Sequence, residues 1–212
     1  MKKKLILCFT VLFISYGWAQ ENGDIVLSVH AGGSISNVST SGEFVATNMR
    51  LGFNGGFGAE FYLSENWGLE LSAYYNQNGF VIDETEISAS QITRTLTLHY
   101  LTLALSPNFH FSEQRNWYLN AGPYAGFLLG ANQGTTQVKD LYTSTNFGLT
   151  AGFGHKFSVS ESGDTRLFIE IVQQLGLTDI SEVDEDELSL KNRCSSLNTR
   201  CRILVGLVKN KL

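Results

Sequence analysis

The chain has 212 residues, 43% hydrophobic and 17% charged, with a formal net charge of −5. That length suits one domain, and the acidic balance excludes the broad basic surface that nucleic acid demands. After the N-terminal segment no apolar run approaches 18 residues, so no membrane-spanning helix is expected.

Lys2, Lys3 and Lys4 open the chain, and Leu5 to Tyr16 form an apolar stretch too short to span a bilayer as a helix. Gly17-Trp18-Ala19 ends on a small residue. This is the layout of a secretory signal peptide over residues 1–19, cut after Ala19, with one domain over 20–212. Cys8 follows Leu7 inside the apolar stretch, where a lipoprotein cysteine needs a small neighbour. Removing three lysines leaves twelve basic and twenty acidic residues, a formal −8.

From there apolar residues alternate with polar or small ones in eight runs, the period of β-strands. They cover 24–34, 52–63, 67–79, 96–111, 117–131, 146–157, 165–177 and 198–209. The apolar face falls on odd numbers: Phe53, Phe57 and Phe61; Leu101, Leu103 and Leu105; Trp117, Leu119 and Phe127; Leu167, Ile169 and Ile171. The even face carries Asn54, Gly56, Gly58, Glu60, Tyr62, Glu70, Ser72, Tyr74, Asn120, Gly122, Tyr124, Gly148 and Gly152.

Short polar turns near 64–66, 112–116 and 158–164 alternate with linkers of about 14 to 20 residues near 35–51, 80–95, 132–145 and 178–197. That alternation gathers every long loop at one end of a meander, the asymmetry of outer-membrane barrels. A soluble barrel also alternates, with its apolar face inside. Its water-facing side is normally rich in Lys and Glu, whereas the polar face here is Gly, Asn, Ser and Tyr, which suits a narrow lumen. Trp67 and Trp117 open strands directly after short turns, and Phe61, Phe109, Phe111 and Phe157 close strands beside them. These six form one expected interfacial belt; Phe53, Tyr75, Phe127 and Phe147 form the other.

Tyr100-Leu101-Thr102-Leu103-Ala104-Leu105, Asn108-Phe109-His110-Phe111, and then Trp117 to Leu129 with its Gly122-Pro123-Tyr124-Ala125-Gly126 core, resemble the central hairpin of PorT-like outer-membrane β-barrel proteins. Phe147 to Gly154 resembles the family's sixth strand, and Ile169-Glu170 through Ile180 its seventh. The resemblance covers most of the mature chain. It implies an all-β, eight-stranded antiparallel up-and-down barrel in a Gram-negative outer membrane. Some members are linked to secretion and gliding; most have no known activity. Two positions depart from the pattern. Ala104 stands where members often carry proline, with Pro107 three residues on, and the C-terminal Asn210-Lys211-Leu212 lacks a final aromatic.

The inward charges are the candidate site. A tight turn at Ser64–Asn66 sets Glu60 opposite Glu70, and two such carboxylates repel or share a proton. Glu170 is a third acid on that face, and Lys156, Arg166, Arg200 and Arg202 are the candidates to neutralise them. The set reads as a structural charge network rather than a catalytic or ion-conducting pair, because eight strands leave room for side chains and not for an open pore. Lipid hydrolysis from the outer surface needs a nucleophile beside a histidine. His99 and His155 have lipid-facing parity but are followed at the second position by Leu101 and Phe157. His110 has Ser112 there, but both carry the inward parity, as does His30.

The acidic run Glu182, Asp184, Glu185, Asp186 and Glu187 lies in the longest linker and lacks the glycine of a calcium loop. It reads as a solvated loop. Cys194 and Cys201 would sit about 23 Å apart in one strand, so a disulfide requires a turn between them.

The expectation is therefore a monomeric, non-enzymatic barrel in outer-membrane lipid. It has four extracellular loops, no cofactor and no metal, and a structural, adhesive or envelope-assembly role with a possible surface or envelope partner. Two alternatives stay open: a lipid-modifying barrel enzyme, and a secreted soluble barrel holding an apolar ligand.

Overall fold

The computed structural model of the protein describes residues 25–40, 47–85, 91–158, 165–181 and 190–205. The leader with its expected cleavage site, the acidic run 182–187 and the C-terminal residues 206–212 lie outside the described residues. The strands are β1 Ile25–Thr40, β2 Thr47–Tyr62, β3 Trp67–Thr85, β4 Gln91–Phe111, β5 Trp117–Gln133, β6 Thr136–Gln137, β7 Thr145–Ser158, β8 Thr165–Gly176 and β9 Leu190–Val205. β6 is a two-residue flap on β5. The other eight pair antiparallel in chain order, and the β1–β9 ladder closes the sheet on itself. Closure removes every sheet edge, which a bilayer requires because nothing in hydrocarbon can satisfy a free backbone group.

The stagger follows from the ladders. The row Ser28–Gly58–Ser72–Ala104–Tyr124–Gly148–Gly176 passes to position 192 and rejoins β1 at Val38, ten residues beyond its start. Ten residues over eight strands imply a tilt of about 40° and a backbone radius of about 8 Å. Pro107 and Pro123 lack the N–H a ladder needs, and the β4–β5 pairing is interrupted between Ala104 and Asn108.

The expected orientation holds. Leu103, Leu119 and Ile169 point outward, 41%, 49% and 44% exposed, and most even positions of the same strands are buried. This overturns the soluble-barrel alternative, which required these side chains inside.

The aromatic belts are also present. Allowing for the stagger, Phe61, Trp67, Phe109, Trp117 and Phe157 lie within about two residues of one height, and Phe53, Tyr75, Phe127 and Phe147 within about three of another. Neighbours in each belt touch: Trp67–Phe109 ring centroids are 4.9 Å apart and Phe53–Tyr75 5.4 Å. The belts are separated by about 22 Å along the axis at that tilt, near the ~25 Å apolar band of such barrels.

The long linkers differ from expectation. β1, β2, β3, β4 and β9 run several residues further at the loop end than the alternation suggested, and β9 starts at Leu190 rather than 198. The reason is a change of residue pattern above the outer belt, described below. Because β9 is one uninterrupted strand, Cys194 and Cys201 are too far apart to bridge. Mature protein unfolded without reductant is expected to take up two alkyl groups by mass spectrometry; uptake of none would contradict the strand.

Candidate functional site

The lumen is stacked in three layers. The lowest lies at the short-turn end and holds the charges. Glu60 and Glu70 are direct cross-strand partners on β2 and β3, as the tight turn required, and both are buried. Asn108 on β4 donates its Nδ2 to Glu60 Oε1 at 2.7 Å and to Glu70 Oε2 at 3.1 Å. His110 Nε2 donates to Glu60 Oε1 at 2.7 Å, with both side chains buried. Glu170 on β8 is buried and accepts from Asn120 Nδ2 at 2.6 Å. Lys156 on β7 donates to Tyr62 Oη at 3.3 Å and lies 5.7–5.9 Å from the ring centres of Tyr62, Tyr118 and Phe168.

Glycines on neighbouring strands make this layer possible. A Cβ on Gly68 would sit 2.3 Å from Glu60 Oε1, and one on Gly152 2.8 Å from Glu170 Oε1. The inward glycines are thus the recesses into which the carboxylates fold.

The backbone register brings the three arginine positions to the same end. Arg166 pairs with Arg202, Arg202 with Ser28, and Arg200 with Phe168 and His30. The side chains of Arg166, Arg200 and Arg202 lie outside the described residues.

The middle layer is neutral and polar. Asn76 Nδ2 donates to Gln174 Oε1 at 2.8 Å, and Gln174 Nε2 donates to Tyr74 Oη, so a chain of amides ties β8 to β3 across the lumen. A cavity of about 20 Å³ lies among His30, Asn54, Tyr74, Asn76, Ser106 and Gln174. That is room for one or two waters.

The top layer is apolar. Val38, Phe80, Leu96, Leu98, Tyr100, Leu128 and Ala131 pack together in the lumen, and Ile180, from the segment after β8, closes over them. Ile180 is held by backbone bonds from its N–H to Leu190 O and from Thr143 N to its own carbonyl. This cap lies at and above the outer belt. Outward neighbours there are Asn37, Gln77, Thr95, Thr97 and His99. On β1 and β4 the barrel therefore inverts: apolar outside and polar inside between the belts, polar outside and apolar inside above them; on β2 Leu51 and Met49, beyond Phe53, stay apolar and exposed. A register shift at His99/Tyr100, where Leu129 is the extra β5 residue, turns Ala131 inward to join the cap.

The histidines separate. His99 accepts from Tyr75 Oη through Nδ1 and approaches Asn132 Nδ2 at 3.3 Å on the outer surface. His155 is wedged in the lower belt, its ring centre 4.4 Å from those of Trp117 and Phe157. His110 faces inward on Glu60. Its place as the partner of Glu60 was missed in the sequence, although its parity matched Glu60's. The cap was missed because its inward apolar residues share the even parity of the polar lumen.

A protein-family comparison matches residues 18–182 to the outer membrane protein beta-barrel domain. No curated protein matches. Among solved structures the chain is similar to the outer membrane protein OprG from Pseudomonas aeruginosa, with TM-score 0.56 and 10% identity over 86% of this chain and 97% of that one. It is also similar to Neisserial surface protein A, with TM-score 0.50 and 14% identity over 84% and 97%. At such identities these likenesses establish the fold alone. With lipid-facing parity, two aromatic belts and a matched region covering well over half of the chain, the protein belongs to the outer membrane protein beta-barrel domain family.

Proposed function

We propose that the protein is a non-enzymatic outer-membrane barrel with a side-chain-filled lumen, whose working surface is its extracellular rim and loops, in a structural, adhesive or envelope-assembly role. The observation that carries this reading is the lumen itself. Buried charges fill one end, an apolar cap fills the other, and the cavity between them is about 20 Å³. A chain so filled has its chemistry on the outside.

We read Glu60, Glu70, Glu170, Lys156, Arg166, Arg200 and Arg202 as a structural charge network. Support comes from the shared end and inward parity of all seven positions, and from the general cost of burying charge without compensation. The PorT-like likeness of the Tyr100–Leu129 hairpin belongs to the same proposal, as does delivery through a signal peptide cut after Ala19. The chain is read as a monomer surrounded by lipid, with an envelope or surface protein as the partner class and no nucleic acid. His99 and His155 are both engaged by aromatic neighbours on the outer face, which supports a packing role for them over a catalytic one.

Reconstitution into planar bilayers tests the sealed lumen. The expected result is no large, steady conductance. Stable openings would replace this reading with a transport function.

A further inference from the structure

We propose that the β4–β5 seam is a built-in opening point of the wall, where these two strands part locally while the rest of the barrel stays paired. Between the belts, among the described residues, every other ladder is continuous. The β4–β5 ladder alone skips three successive pairs there: Leu105 with Pro123, Ser106 with Gly122, and Pro107 with Ala121. The register is the same on both sides of the break, with Ala104 opposite Tyr124 and Asn108 opposite Asn120, so no bulge causes it. Allowing for the stagger, the break lies about midway between the two belts.

The neighbouring ladders fix where the missing donors point. A strand residue turns its N–H and C=O to the same side, and antiparallel pairs alternate between hydrogen-bonded and non-hydrogen-bonded. Pro107 keeps its pairing with Leu69 on β3, and Pro123 keeps its pairing with Leu149 on β7. A residue without an N–H can do so only as a non-hydrogen-bonded pair, carried by the bonds of its neighbours. Both prolines therefore turn their bare nitrogens into the β4–β5 seam. There they face Ala121 and Leu105, whose carbonyls lose their ladder donors. Hydrocarbon offers such groups nothing on the outer face. On the inner face the small cavity, with room for water, reaches the seam at Ala104, Ser106 and Asn120. An apolar groove reaches it from outside at Pro107, Asn120 and Ala121. The side chains between groove and cavity are small, and a Cβ on Gly122 would collide with the Leu105 carbonyl. Parting the strands over this stretch breaks at most two ladder bonds, those donated by Leu105 and Ala121, and unpacks little apolar surface. A low local cost of this kind marks the segments that open before the whole fold does. The inference goes beyond the sealed-lumen reading, which concerns passage along the axis and stands whichever way this test falls.

The test is residue-resolved amide hydrogen exchange, read by NMR on the full mature chain in lipid nanodiscs. Leu105 and Ala121 are expected to exchange at least about 100-fold faster than Leu71 and Ala151, residues of continuous ladders at nearly the same height. Pro107→Val and Pro123→Val each restore a donor and so do not endanger the fold. P107V is expected to slow exchange at Ala121, and P123V at Leu105, each by about tenfold. Leu27→Val, on β1 away from the seam, is expected to change neither. Protection of Leu105 and Ala121 equal to that of Leu71 and Ala151 would overturn the proposal. Fast exchange that both proline variants leave untouched would place the opening elsewhere and overturn it too.

Discussion

Phe57→Arg is expected to cost the folded barrel about 2–4 kcal/mol in a bilayer. Phe57 points outward on β2 and is 68% exposed, the condition of a side chain whose solvent is lipid. Phe53 of the outer belt and Phe61 of the lower belt lie equally far from it along the strand, so it sits at mid-height. A guanidinium there leaves water for hydrocarbon, and its stem is too short to reach either interface comfortably. Thr97→Arg, above the outer belt, is expected to cost only about 0–1 kcal/mol. Urea unfolding in lipid vesicles, followed by tryptophan fluorescence, compares the two. Equal costs would mean that the belts do not mark the membrane.

Glu60→Ala is expected to have the second large effect, about 3–5 kcal/mol in the same assay. Glu60 is fully buried, accepts from Asn108 and His110, and faces Glu70 across the hairpin. Removing it strands the donors that converge on it in a lumen where little water can replace the carboxylate. Glu65→Ala is the control. Glu65 pairs with Arg115 between two short turns, and both side chains are well exposed. An exposed pair is worth about 0–1 kcal/mol. Similar losses for Glu60→Ala and Glu65→Ala would show that the buried carboxylate is not held by a network.

Much of this was readable in the residues. The strand period placed all eight barrel strands, because a chain that meets lipid on one face and a crowded lumen on the other must alternate without lapse. Trp67 and Trp117 marked the lower belt because an indole prefers the interface and each follows a short turn at the same offset. Glu60 opposite Glu70 followed from the Ser64–Asn66 turn alone. The upper wall was not readable in the same way. Leu96, Leu98 and Phe80 are apolar on the even parity, where the faces exchange. Leu96 opens the fourth run, while Phe80 falls in the linker expected over 80–95, which in fact holds the upper ends of β3 and β4. The exchange has a physical cause: above the outer belt the exterior solvent is water, and a β-wall in water must bury its apolar side inward. The role of His110 was obscured for a different reason. Its partner is 50 residues away in sequence and is brought near it by the successive β2–β3 and β3–β4 pairings.

The exchange of faces is tested most directly along β4. Single nitroxide labels at the outward positions from Thr95 to Phe109, on the protein in lipid vesicles, report access to oxygen and to a water-soluble nickel chelate. Labels at 101, 103, 105, 107 and 109 are expected to see oxygen and exclude the chelate, and labels at 95 and 97 to show the opposite. Chelate access along the whole strand would contradict a membrane barrel. Oxygen preference continuing through 97 and 95 would contradict an apolar-cored wall standing above the membrane.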